Sequence, residues 1–141
     1  MMMRRLALAG LFLTLAAPAW AQVAIVDAPT AAGLPGVGGL LVDIRTPDEI
    51  AKTGLPKGAV AIPLQGDDMV FNQNFVAEVD KAAGGDKKRP TALIDNSGRR
   101  AEFAGKLLLS KGYVQVMAVG EGMLGSNMGP GWIARELPLE K

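Results

Sequence analysis

The sequence contains no cysteine and no histidine. Without cysteine there is no disulfide, so the fold must rest on its core, and there is no thiol nucleophile anywhere in the chain. Without histidine there is no Ser-His or Cys-His pair and no imidazole metal site. Charge of one sign is also lacking: 15 Lys and Arg stand against 14 Asp and Glu, a formal +1. Such a balance does not make a general nucleic-acid surface. A long hydrophobic run is missing too. The most apolar stretch, Leu6 to Leu15, covers about ten residues before Pro18, well short of the roughly 20 that cross a bilayer.

That stretch reads instead as the core of a secretory signal peptide over residues 1–21. Arg4 and Arg5 supply the positive start, and Ala19-Trp20-Ala21 the small-x-small cleavage site before Gln22. The expected mature chain, 22–141, is periplasmic and has no membrane segment. Removing Arg4 and Arg5 from the 15 basic residues leaves 13 against 14 acidic ones, a balance of −1. At 141 residues, 49% hydrophobic and 21% charged, the chain is long enough for one globular domain with its own core.

Gln22 to Gly39, rich in Ala, Pro and Gly, reads as an irregular opening with a short edge strand at Val23 to Val26. Its glycines precede a strand and so cannot be a phosphate loop, which follows one. Leu40 to Ile44 reads as a buried parallel strand. Thr46-Pro47-Asp48-Glu49 spells a helix start, with Thr46 as cap, Pro47 first and Glu49 closing a capping box; Gly54 ends it. Ala59 to Ile62 is the next strand, stopped by Pro63. Asn74 is placed as cap of a helix over Phe75 to Ala83, and Asp86-Lys87-Lys88-Arg89-Pro90 as a charged turn. The adjacent Asp67 and Asp68 lack a surrounding ligand cluster and read as a solvated loop, so no metal is expected.

Thr91 to Ile94 is a short apolar strand that ends in Asp95-Asn96-Ser97-Gly98-Arg99-Arg100. The stretch Ala101 to Lys111 follows as a helix with Phe103, Ala104, Leu107 and Leu108 on its apolar face, ending at Gly112. The 95–100 loop therefore lies at the carboxyl end of a strand and the amino end of a helix, where backbone amides and the helix dipole favour an anion. Val114 to Val119 is the last strand. Gly120-Glu121-Gly122-Met123-Leu124-Gly125 matches the dinucleotide fingerprint in letters only, because Gly129 and Pro130 interrupt the helix it needs, and no cofactor is expected. Met117, Met123 and Met128 read as core fillers, and Trp132 as packing the terminal turn onto the sheet.

Alternating strand and helix signals point to a three-layer α/β domain, a mostly parallel sheet of about five strands with helices on both faces. Four blocks along the chain also resemble the rhodanese-like domain family. Asp43-Ile44-Arg45 with Glu49-Ile50 is similar to its Asp-x-Arg-x-x-x-Glu-aromatic segment. Gly54 to Pro63 resembles its Gly-His-Ile-x-Gly-Ala-x-x-Ile-Pro segment, with Leu55 where His is common. Gly98 and Arg100 match its Cys-x-x-Gly-x-Arg active-site loop, with Asp95 at the Cys position. Gly112-Tyr113, Val119 to Gly122 and Trp132 resemble its closing pattern.

In that family the loop thiolate carries a sulfane sulfur as a persulfide within a ring of loop amides. The resemblance thus implies an anion loop made of Asp95, Asn96, Ser97, Gly98, Arg99 and Arg100, braced through ion pairs by Asp43 and Arg45. A carboxylate cannot replace the thiolate, so the expectation is a non-catalytic domain. It would bind a small anion or a periplasmic protein partner in a sulfur or redox context, with Asp95 placing its own charge in the cradle. The alternatives are a sulfurtransferase-related enzyme and phosphoryl or acyl transfer by Asp95; the latter lacks a second acid beside Asp95 to hold magnesium.

Overall fold

The computed structural model describes residues 22–140, and the leader expected over residues 1–21 lies outside them. Strand β1 is Ala24–Val26, β2 Leu40–Asp43, β3 Leu55–Pro56, β4 Val60–Ala61, β5 Thr91–Ile94, β6 Val116–Val119 and β7 Leu139–Glu140. The helices are α1 Ala28–Gly33, α2 Pro47–Thr53, α3 Phe75–Ala82 and α4 Arg99–Ser110, with a 3-10 turn at Pro35–Val37. Five strands pair in the order β1-β6-β5-β2-β4, and every pairing in that sheet is parallel. Strand β5 is central, flanked by β2 and β6. The expected α/β architecture is therefore what the chain adopts.

Strand alternation divides the core into two layers. Leu40, Val42, Leu93, Val116 and Ala118 face Phe75 and Val79 of α3 and Ala101, Ala104 and Leu108 of α4. On the other face, Leu41, Ala92, Ile94 and Val119 meet Ala28 and Ala31 of α1 together with Met123 and Trp132. All these residues are buried. Both faces of β2 and β5 are covered, which is why those strands read as unbroken apolar runs. The Trp132 indole N–H donates to the Pro138 carbonyl at 3.1 Å, fastening the C-terminal segment to the second face.

Several local expectations need correction. The opening segment is not irregular: α1 lies inside it, started by Asp27, whose carboxylate accepts the Thr30 N–H at 2.9 Å. Its inward residues are alanines, so it carries little hydrophobic contrast. Asn74 precedes α3 but makes no side-chain cap. The neighbouring Asn72 organises that corner, accepting from Asn74 N and donating to the Pro63 carbonyl at 2.9 Å and to Glu78 Oε2. Phe103 is not on the packed face of α4 and is 59% exposed. The antiparallel pair β3 and β7 joins residues more than eighty positions apart and gave no local signal. The capping box of α2 is as expected, with Thr46 Oγ1 accepting from Glu49 N and Glu49 Oε2 from Thr46 N.

Candidate functional site

The loop 95–98 joins central strand β5 to α4 at the carboxyl edge of the sheet, where open α/β folds collect ligands. Asp95 is 1% exposed, and its carboxylate is turned back into its own loop. Oδ1 accepts the Gly98 N–H at 2.6 Å and Oδ2 the Arg100 N–H at 2.9 Å. The Arg100 Nε lies 3.6 Å from Oδ2. The negative charge thus sits at the positive end of α4, where the dipole and charge-assisted amide bonds favour it. Gly98 has φ 92° and no side chain to cap the helix, and Asp95 performs the capping from three residues upstream.

Arg99 and Arg100, expected in the loop, form the first turn of α4; Arg100 turns inward and Arg99 outward. Arg100 forms a two-pronged pair with Glu49 of α2, Nη1 to Oε2 at 2.8 Å and Nη2 to Oε1 at 2.9 Å. The Asn96 amide donates to the same Glu49 Oε1 at 3.0 Å. Hydrogen bonding from Arg100 is the main cause that holds the Glu49 carboxyl below its ordinary range, against the opposing effect of burial. The Arg100 guanidinium is correspondingly raised, first by its bonds to Glu49. Arg99 is exposed and lines, with Ser97 and Gly98, an open cleft of about 580 Å³ between the start of α4, Ile25 of β1 and the 125–128 turn.

Asp43 and Arg45 are each fully buried and pair at 2.7 Å. Their hydrogen bonds go elsewhere than to 95–100. Arg45 donates to Asp43, to Thr53 Oγ1 at 2.7 Å and to the Gly54 carbonyl at 2.9 Å, closing the C-terminal end of α2. They brace α2, and α2 in turn presents Glu49 to the loop. Glu49 is the residue that sequence reasoning assigned only half a role: its cap position was visible, while its grip on Asn96 and Arg100 spans about fifty residues of chain.

The second support is the turn after β6. Met123 N donates to the Asp95 carbonyl at 2.8 Å and Leu124 N to the Asn96 carbonyl at 3.0 Å. Approach this close requires glycine: a Cβ on Gly98 would strike the Gly120 backbone, and one on Gly122 the Asn96 carbonyl. The Gly120 to Gly125 fingerprint letters thus serve backbone packing, and a turn follows rather than a helix. Glu121, 1% exposed, pins this turn from behind by accepting from Arg135 Nη2 at 3.0 Å and from Gly131 N at 3.2 Å. Glu121 stood in the sequence only between the glycines of the fingerprint letters, with no role assigned, and Arg135 carried no signal. Met123 is buried and Met117 packs beside it, whereas Met128 is 59% exposed at the cleft. Among the described residues no group of three or more Asp or Glu could hold a metal ion.

Known proteins agree with this architecture. A polysulfide-sulfur transferase homodimer from Wolinella succinogenes superposes with a TM-score of 0.63 at 21% identity, over 84% of this chain and 78% of that one. A rhodanese-like domain from Anabaena gives a TM-score of 0.57 at 19% identity, covering 82% and 77%. The reduced Bacillus anthracis CoADR-RHD protein gives 0.52 at 26% identity, covering 71% of this chain and 16% of that one. No curated protein matches the chain. The family model of the rhodanese-like domain matches residues 23–126, and with the parallel sheet and the loop at its central strand this establishes that the chain belongs to the rhodanese-like domain family.

Proposed function

We propose that this chain is a non-catalytic rhodanese-like domain, exported to the periplasm, that works by binding a protein partner in a sulfur or redox context. The observation that carries the reading is the buried Asp95 carboxylate, which takes the Gly98 and Arg100 amides for itself. Asp95 stands where the family's nucleophilic cysteine belongs. A carboxylate oxygen is a hard nucleophile that cannot hold sulfane sulfur reversibly, and the sequence contains no thiol. Those two amides are also unavailable to an external anion, which favours a partner over a small ligand in the cradle itself. A small anion remains a second reading because Arg99 faces the adjoining cleft without an ion-pair partner among the described residues. Phosphoryl transfer by Asp95 is disfavoured, since both its oxygens are engaged and it is shielded from solvent.

The test is thiosulfate-to-cyanide sulfur transfer by the unaltered protein and by Asp95→Cys. The expected result is a silent parent. Turnover by the variant would mean that the amide ring is intact and only the nucleophile is missing; silence from both would mean that the loop has been committed to docking. Turnover by the unaltered protein would overturn the reading.

A further inference from the structure

Residues 64–72 leave the edge strand β4 and lead to α3, and they present Met69, Val70 and Phe71 outward, 70%, 61% and 38% exposed. Three consecutive exposed apolar residues are a feature that soluble surfaces avoid unless the patch is used. The segment is also tightly shaped. Gly66 N donates to the Val70 carbonyl at 3.0 Å, Met69 N to the Gly66 carbonyl at 2.9 Å and Val70 N to Asp68 Oδ1 at 3.0 Å. Asp67 Oδ1 ties it to the first turn of α2 by accepting Asp48 N at 3.0 Å. Met69 is held at φ 65°, a left-handed backbone that a non-glycine residue adopts only against an energetic preference. The loop therefore keeps an apolar tip in a defined shape that its own backbone does not favour.

Met69 also forms one wall of an open cleft of about 500 Å³, shared with Asp48, Glu49, Lys52, Asp67 and Arg100. Glu49 and Arg100 neutralise each other at 2.8 Å. That leaves Asp48 and Asp67, with Asp68 in the loop beside them, against Lys52; none of the three aspartates has a salt-bridge partner among the described residues. The surface is thus an apolar knob and hollow with an excess of negative charge, next to the Arg100 side of the Asp95 loop. We propose that the Met69 to Phe71 tip and this cleft are the docking surface for a protein partner that offers an apolar side chain flanked by lysines or arginines. The inference rests on the docking role proposed above and supplies its surface and the chemistry of its partner. Charge complementarity selects a basic partner, and the apolar centre supplies the part of the contact that excludes water.

The experiment is an NMR titration of the protein with two synthetic peptides of one apolar core, Leu-Phe-Leu, flanked on both sides by lysines or by glutamates. The lysine peptide is expected to shift the amides of residues 48–52 and 65–71 saturably, and to lose affinity as salt is added; the glutamate peptide is expected to leave them in place. Combining Met69→Gly, which relaxes the backbone, with Val70→Ser is expected to weaken the lysine peptide about tenfold while the thermal midpoint holds or rises. Asp48→Asn is expected to flatten the salt dependence. Equal binding of both peptides, absence of saturable shifts, shifts centred on Ile25, Arg99 and Met128, or unchanged binding by the double variant would each overturn the proposal. Sulfur transfer measured on the same unaltered sample separates the two ideas: turnover there ends the non-catalytic reading, whereas misplaced shifts end only this surface.

Discussion

At the scale of single residues, Asp95 decides the character of the site. Its two oxygens satisfy amides at the start of α4 that would otherwise be buried donors without partners. Asp95→Ala is expected to lower stability by about 1–3 kcal/mol in a denaturant titration. Added sulfate is expected to restore part of the loss in that variant and to leave the parent nearly unchanged, because only the variant has the amides free. Glu49 sets a second expectation. Its carboxyl is held below the ordinary value of 4.5, first by hydrogen bonds from Arg100. A depressed folded-state value contributes stability above the unfolded value, and that contribution is lost as pH falls through the folded one. Stability should therefore decline on acidification below about pH 4.5, and Glu49→Gln should flatten that limb of a thermal midpoint series. Asp95 at its strand end, Gly98 and Arg100 could all be singled out from the sequence. The division of labour between Arg99 and Arg100 could not, because two adjacent residues entering a helix point in directions about 100° apart and only the packed neighbours settle which one turns inward.

At the scale of elements, the loop is shaped by what lies against it. Gly98, with φ 92°, lies against the Gly120 backbone, and Gly122, with φ 63°, against Asn96, so the Asp95 loop and the turn after β6 approach through glycine on both sides. Gly122→Ala is expected to cost more than the roughly 1 kcal/mol that left-handed backbone strain implies, because the added methyl meets the Asn96 carbonyl; differential scanning calorimetry would show the loss. Thr46→Ala removes one half of the α2 capping box and is expected to cost about 1 kcal/mol. Helix starts of this kind are legible because cap, proline and acid are local in sequence. The packed face of α4 was partly misread for the complementary reason. Ala104 and Leu108 are buried as expected, but Phe103 lies one helical step off the stripe, and hydrophobicity alone cannot fix the centre of a stripe to within one residue. Phe103→Ser should leave stability within about 0.5 kcal/mol.

At the scale of the whole molecule, the site is held by three elements distant from it in sequence: α2 through Glu49, the turn after β6 through its amides, and the C-terminal segment through the Glu121–Arg135 pair. Glu121 is buried while Arg135 stays partly exposed, so breaking the pair strands a charge on the buried side. Arg135→Ala is expected to destabilise the protein and to loosen residues 120–125 in hydrogen exchange before the sheet core opens. The sequence by itself determined the alternation of strands and helices, the apolar central strands, the capped start of α2 and the location of the loop, since each depends on residues within one or two turns of chain. It also determined that no thiol and no imidazole take part, which is a matter of composition. Tertiary structure alone decided that Asp95 turns inward onto its own amides, that Glu49 serves the loop as well as its own helix, that Asp43 and Arg45 close α2, and that Glu121 anchors the closing segment. Each of these is a contact between side chains and backbone brought together by strand order, and a linear pattern carries no record of which distant groups will satisfy a buried charge.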